Sequence, residues 1–266
     1  MSFRTFFLAF LSLTAVCSAK DFEPFAGPQP MAVLLQEKPW APIMGAETPR
    51  IVIYSNGDII YSRGSGDDQV YFYAEMSYPV LARVTDHLTP LTNVTNLKPR
   101  YSVTGATDQG AALFYLHVNG KEVVTSVYGL RPEDDNGGPK ARSLSKLPPE
   151  LRELYHYLLT VDFSESRPWH SAYAEAMIFP VEDTSGGVLH WPKAWPDLKS
   201  DRVIKRKEGY SIFLDGSMHD ELKSFLSNEK KDGAVEIDGR NWSVASRSVF
   251  PSEPVWRKAF SSLEDN

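Results

Sequence analysis

Cysteine is nearly missing from this chain: its 266 residues hold one, Cys17. Cleavage after Ala19 would leave the mature chain with none, and so with no disulfide even in an oxidising compartment. Thiolate metal ligands are then absent too. The six histidines, His87, His117, His156, His170, His190 and His219, include no His-x-His and no His-Glu-x-x-His spacing. No local spacing marks a zinc site, and neither a metal nor a cofactor is expected. Glu133-Asp-Asp-Asn136 lacks the alternating ligands of a calcium loop and reads as a solvated acidic turn.

Other absences narrow the chemistry further. There is no Gly-x-Gly-x-x-Gly and no Gly-Lys-Ser/Thr, which weighs against nucleotide-dependent reactions. No Gly-x-Ser-x-Gly elbow is present. Ser143-x-x-Lys146 and Ser227-x-x-Lys230 both match the short motif of penicillin-recognising enzymes, but the companion Lys-Thr-Gly is missing. No catalytic residue is therefore assigned. The net charge is −6, and the longest basic run is Lys205-Arg-Lys207. Nucleic acid is an improbable partner on that balance.

What is present begins with an export signal. Arg4 precedes the apolar or small run Phe6–Val16, and Cys17-Ser-Ala19 supplies small residues for a signal peptidase. The run spans eleven residues, against roughly twenty for a bilayer-spanning helix. Residues 1–19 are expected to be removed, leaving a periplasmic or extracellular protein with no membrane span. Lipidation at Cys17 is the alternative, but Val16 and Thr14 stand where that signal calls for a small residue and a leucine. Loss of Arg4 takes the net charge from −6 to −7.

Residues 20–49 carry Pro24, Pro28, Pro30, Pro39, Pro42 and Pro49, which predict an extended lead-in. Beyond them, residues 50–266 read as one α+β unit, with a loose echo between 50–165 and 170–260. Three segments share a design. Asn56-Gly57, Asn119-Gly120 and Asp238-Gly239 each separate two short apolar runs, the pattern of a β-hairpin with a two-residue turn. For the first, that turn pairs Tyr54 with Ile59 and Ile53 with Ile60. Helices are expected over 150–159, over 217–226 with Ser217 as cap, and over 77–88 with Pro79 in the first turn. Ala174–Val181 and Gly209–Leu214 complete an antiparallel sheet built from hairpins with interspersed helices. Gly64–Asp68 and Pro132–Lys140 read as loops, and Leu189–Leu198 as a proline-punctuated connector.

Two kinds of side chain remain as site candidates. Trp169, Trp191 and Trp195, exposed, would anchor a protein or glycan partner in the envelope. Their commoner role is to fill a core. His170 lies near Glu165 and Glu175 in sequence, and His117 faces Glu122 across its hairpin, so either is a candidate acid or base. A surface cross-strand pair accounts for His117 without function. The leading expectation is a non-enzymatic binding or interaction module. Its competitors are a hydrolase whose dispersed site uses His170 or His117, and an inhibitor or immunity-type protein.

Tyr54-Ser-Asn-Gly-Asp-Ile-Ile-Tyr61 behind a leader resembles the Tyr-Gly-Asp-Gly-x-Val-Ile hairpin of uncharacterised secreted bacterial proteins. In those proteins a later segment is similar to Val118–Leu130 here, a leucine-rich helix like 150–159 follows, and a terminal hairpin ends near Arg-Pro. This chain departs at the end, reading Arg247-Ser-Val-Phe-Pro251. The resemblance implies export from a bacterium and carries no activity.

Overall fold

Apolar residues on both faces of a strand require cover on both sides, and the strands around Val33 and Val52 meet that condition. The computed structural model describes residues 22–37, 45–64, 69–130, 144–163, 165–181, 186–228 and 233–263. The export signal with Cys17, the Pro132–Lys140 loop with Glu133–Asn136, Ser143, Lys230 and residues 65–68 lie outside them. The fold is α+β, with two mixed, mostly antiparallel sheets.

The first sheet draws on β1 (Pro30–Gln36), β2 (Pro49–Tyr54), β3 (Asp58–Arg63), β4 (Val70–Glu75), β5 (Arg100–Ser102), β6 (Ala111–Val118), β7 (Lys121–Tyr128) and β8 (Arg167–Pro168). Their spatial order is β5-β7-β6-β1-β2-β3-β4-β8. Within the expected lead-in the described chain turns at residues 24–25, where the Ala26 N–H donates to Glu23 O at 3.1 Å, and its Pro30–Gln36 stretch is a central strand paired with β2 and β6. One face of this sheet buries Leu34, Ile53, Ile59, Phe114 and Leu116 under helices α1 (Tyr78–Thr92) and α2 (Pro149–Thr160), which contribute Leu88, Leu151 and Tyr155.

The second sheet contains β9 (Tyr173–Pro180), β10 (Val188–His190), β11 (Val203–Lys205), β12 (Tyr210–Asp215), β13 (Ala234–Ile237) and β14 (Arg240–Ser248). Its order is β10-β13-β14-β9-β12-β11. Ala176, Ile178, Ile212 and Trp242 form a core there with Leu222 of α3 (His219–Ser227). Helix α4 (Glu253–Ser261) follows β14 yet leaves that sheet. It lays Trp256 and Phe260 on the other face of the first sheet, against Val33, Val52, Tyr54 and Ile60.

Two of the three hairpins have the expected turn. Asn119 and Gly120 stand at φ 52° and 72°, Asp238 and Gly239 at 51° and 74°, and His117 pairs with Glu122 and Ile237 with Arg240. The first hairpin is shifted by one residue: Ile53 pairs with Ile59 and Val52 with Ile60. Here Asn56 Oδ1 accepts the Asp58 N–H at 3.1 Å, and the Gly57 N–H bonds Tyr54 O at 3.1 Å. Gly57 alone of the pair takes positive φ, 95°. The result is a turn followed by a glycine bulge, the three-residue version of the loop. The shift puts Ile51, Ile53, Ile59 and Tyr61 on one face and Val52, Tyr54 and Ile60 on the other.

Gly57 also lies close to its neighbours, since a Cβ there would sit 2.8 Å from Met76 O. Gly57→Val is expected to lose about 1–3 kcal/mol through left-handed strain alone, read as a lower urea midpoint. An unchanged midpoint would count against the bulged register.

Other boundaries move for local reasons. Ser217 does not cap a helix. It lies in a 3-10 turn, Gly216–Met218, and α3 begins after it at His219. Gly216 is wedged against the Ser171 carbonyl, where a Cβ would approach to 1.7 Å, so the chain tightens before the helix opens. Helix α1 runs on to Thr92 through Pro90, with the Thr85 and Thr89 hydroxyls donating to the carbonyls of Leu81 and Thr85.

Candidate functional site

The tryptophans do not converge. Trp191 and Trp195 are 8 % and 7 % exposed, meet edge-on at 5.0 Å, and both pack on Phe225 of α3. The Trp191 indole N–H is spent on Pro196 O at 2.9 Å. These two fill the second core. Trp169 sits half-buried at the edge of the first sheet, 4.8 Å from the Phe250 ring and 5.8 Å from Tyr71. His170 beside it is exposed. Its electrostatic neighbour is His219, whose pKa is lowered by burial first and then by Lys223 and His170. His117 is exposed at the tip of its own hairpin. Among the described residues, neither His117 nor His170 is hydrogen-bonded to a hydroxyl or carboxylate, and no three His, Cys, Asp or Glu gather as metal ligands.

Glu175 does not serve His170. It is fully buried on β9 and joins a chain of charges where the second sheet meets α4. Arg206, Arg247 and the Ser211 hydroxyl all bind its carboxylate. Arg247 also binds Glu253, which accepts from Arg257 Nε at 2.6 Å. Arg257 then reaches Glu47 O at 2.5 Å on the segment leading into β2. Burial by itself raises the Glu175 carboxyl, but the Arg247 and Arg206 guanidiniums outweigh it and hold the pKa below the ordinary carboxylate range. Among these, Arg247 is 4 % and Glu253 1 % exposed, so the network braces a joint and has little surface to offer a ligand.

A cleft of about 580 Å³ opens beside this joint, between β1, β5, β6, β7 and α4. Leu35, Ala111, Leu113, Phe260 and Leu263 form an apolar floor, each buried. The rim is polar: Glu37, Glu47, Arg100, Tyr101, Gln109, Tyr128, Arg257 and Ser261. The rim is held in place by its own bonds. Tyr128 Oη accepts the Gln109 N–H at 3.0 Å and donates to Ala106 O at 3.1 Å. Tyr101 Oη accepts the Lys98 N–H at 3.0 Å, and Glu47 Oε2 accepts the Gly45 N–H at 3.0 Å. Volume, apolar floor and a few fixed polar groups match what small-molecule sites require.

None of these residues was a candidate on sequence grounds, because they come from both ends of the chain and share no local spacing. The nearest available signal was the apolar face of α4 after Ser252-Glu-Pro254, where proline in a first turn marks a helix start. No family model, curated protein or solved structure matches this chain.

Proposed function

We propose that this protein is an exported, non-enzymatic binding module whose ligand occupies the cleft under α4. The observation carrying this reading is the cleft itself, an apolar floor ringed by preset arginine, glutamate and tyrosine groups. Export to the periplasm or beyond rests on the leader at residues 1–19. A small ligand takes the place of the protein or glycan partner that exposed tryptophans would have suggested, since Trp191 and Trp195 are core residues.

Ser261 is exposed on the cleft rim, so a large residue there blocks the space without disturbing the core. Nile red, an uncharged apolar fluorophore, is expected to brighten saturably with the wild-type protein and to lose most of that signal with Ser261→Trp. No saturable signal, or equal signal from both proteins, would sink the reading. The hydrolase alternative, with His170 or His117 as base, predicts turnover in an ester and amide panel that is abolished by His170→Ala or His117→Ala.

A further inference from the structure

We infer that the ligand is an apolar monocarboxylate, its hydrocarbon chain lying along the cleft floor and its head held at the sheet edge by Arg100 and Ser126. The inference rests on the cleft being the binding site and names the class of ligand it takes.

Strand register lines this site up. Arg100 of β5 pairs with Ser126 of β7, Ser126 with Leu113 of β6, and Leu113 with Leu35 of β1. Paired residues on neighbouring strands project from the same face of a sheet, and all four line the cleft. They make one row across the first sheet, charged at the edge strand, polar one strand in and apolar beyond. Three strand spacings of about 4.8 Å give the row a length of roughly 14 Å. Phe260 of α4 and Leu263 after it border the row. A passage from charge to hydrocarbon along one row is the pattern that fits an amphiphile with a single head.

The sign of that head follows from what each charge on the rim already meets. Glu47 accepts the Gly45 N–H and lies near Arg257, which also binds Glu253. Glu37 has a partner of its own. Arg100 stands exposed, and its guanidinium donates to the Leu263 carbonyl. Among the described residues Arg100 has no carboxylate partner, and the Ser126 hydroxyl beside it makes no hydrogen bond. The charge left for a ligand is therefore positive. A guanidinium has more donors than one carbonyl uses, and its fork suits a carboxylate. The Ser126 hydroxyl can donate to the same anion. An ammonium head would be opposed by Arg100, and an uncharged head would leave the guanidinium to water. Beyond the head, each methylene laid on Leu113 and Leu35 leaves water and adds affinity. A cleft of about 580 Å³ is of the size that encloses such a molecule.

The test is calorimetric titration of the full chain with octanoate, butanoate, octanol and octylammonium. Octanoate is expected to bind about tenfold or more tightly than octanol or octylammonium, the loss expected from one charge-assisted contact. Butanoate, with the same head and a shorter chain, should bind about a hundredfold more weakly. Arg100→Ala should weaken octanoate by about tenfold and leave octanol within about twofold. Ser126→Ala, which removes only the hydroxyl, should weaken octanoate by about threefold or more, and serves alone if the Arg100 variant melts early. Octanol, octylammonium or butanoate binding as tightly as octanoate, or wild-type octanoate affinity in either variant, overturns the inference. If Nile red binds and octanoate does not, the carboxylate is wrong and the binding reading stands. If Nile red fails as well, both fall.

Discussion

Replacing Arg247 by methionine is expected to destabilise the fold by about 3–5 kcal/mol at neutral pH, because it strands two buried carboxylates. Glu175 and Glu253 are fully or almost fully buried, and among the described residues Arg247 is the one that binds both. Arg206 and Arg257 remain, each on a single carboxylate. The pH dependence identifies the cause. The Glu175 pKa is lowered in the fold, so its ionised form contributes stability above the ordinary carboxylate range. That contribution disappears as the pH falls through the lowered value. Without Arg247, the burial of Glu175 is less opposed, and protonating Glu175 relieves the variant. The gap between wild type and Arg247→Met should therefore be widest near pH 7 and shrink near about pH 4. Urea unfolding at the two pH values measures it. A gap that is small at neutral pH, or that does not change with acid, would mean the network is not what joins these elements.

Trp256→Ala should lose a comparable amount, about 3–5 kcal/mol, as expected for removing a large aromatic from a filled core. Trp256 is fully buried, packs 5.8 Å from the Phe260 ring, and lies under the Arg257 guanidinium at 4.8 Å. Its indole N–H has no hydrogen-bond partner among the described residues. Trp256→Phe should therefore cost clearly less, since no hydrogen bond is lost and most of the ring remains. The effect should spread beyond the helix. Because α4 is continuous with β14 yet docks on the first sheet, freeing it loosens the hold of one sheet on the other. Thermal unfolding followed by far-ultraviolet and aromatic circular dichroism reads both outcomes. A melting point within a degree or two of wild type would show that α4 contributes little to the docking.

The cleft depends on the same docking. Phe260 and Leu263 supply part of its floor from α4 and the residues after it, while Leu35, Ala111 and Leu113 supply the rest from β1 and β6. Variants that detach the helix should lose ligand binding together with stability. A rim variant such as Ser261→Trp should lose binding alone.

Local chemistry in the sequence determined a good part of this protein. Asn119-Gly120 and Asp238-Gly239 set their turns because both residues of each pair tolerate positive φ. Pro148-Pro149 and the spacing of Leu151, Leu154, Tyr155 and Leu158 were enough for α2 and its buried face. The apolar runs of β9 and β12 were equally plain. Tertiary structure decided the rest, and in each case the deciding partner is distant in the chain. Asn56-Gly57 carries the same dipeptide as a correctly expected turn, yet its register depends on the Asn56 side chain folding back and on Met76 bonding Gly57 O. Pro30–Gln36 became a central strand only because β2 and β6 close on it from either side. Trp191 and Trp195 could have been anchors, and Phe225 of α3 made them core. Charge shows the same division. Composition set the total, but only folding determined that Arg247 is neutralised in a buried network while Arg100 faces a cleft with no carboxylate among its described partners, because electrostatic pairing is a matter of distance in space and not along the chain.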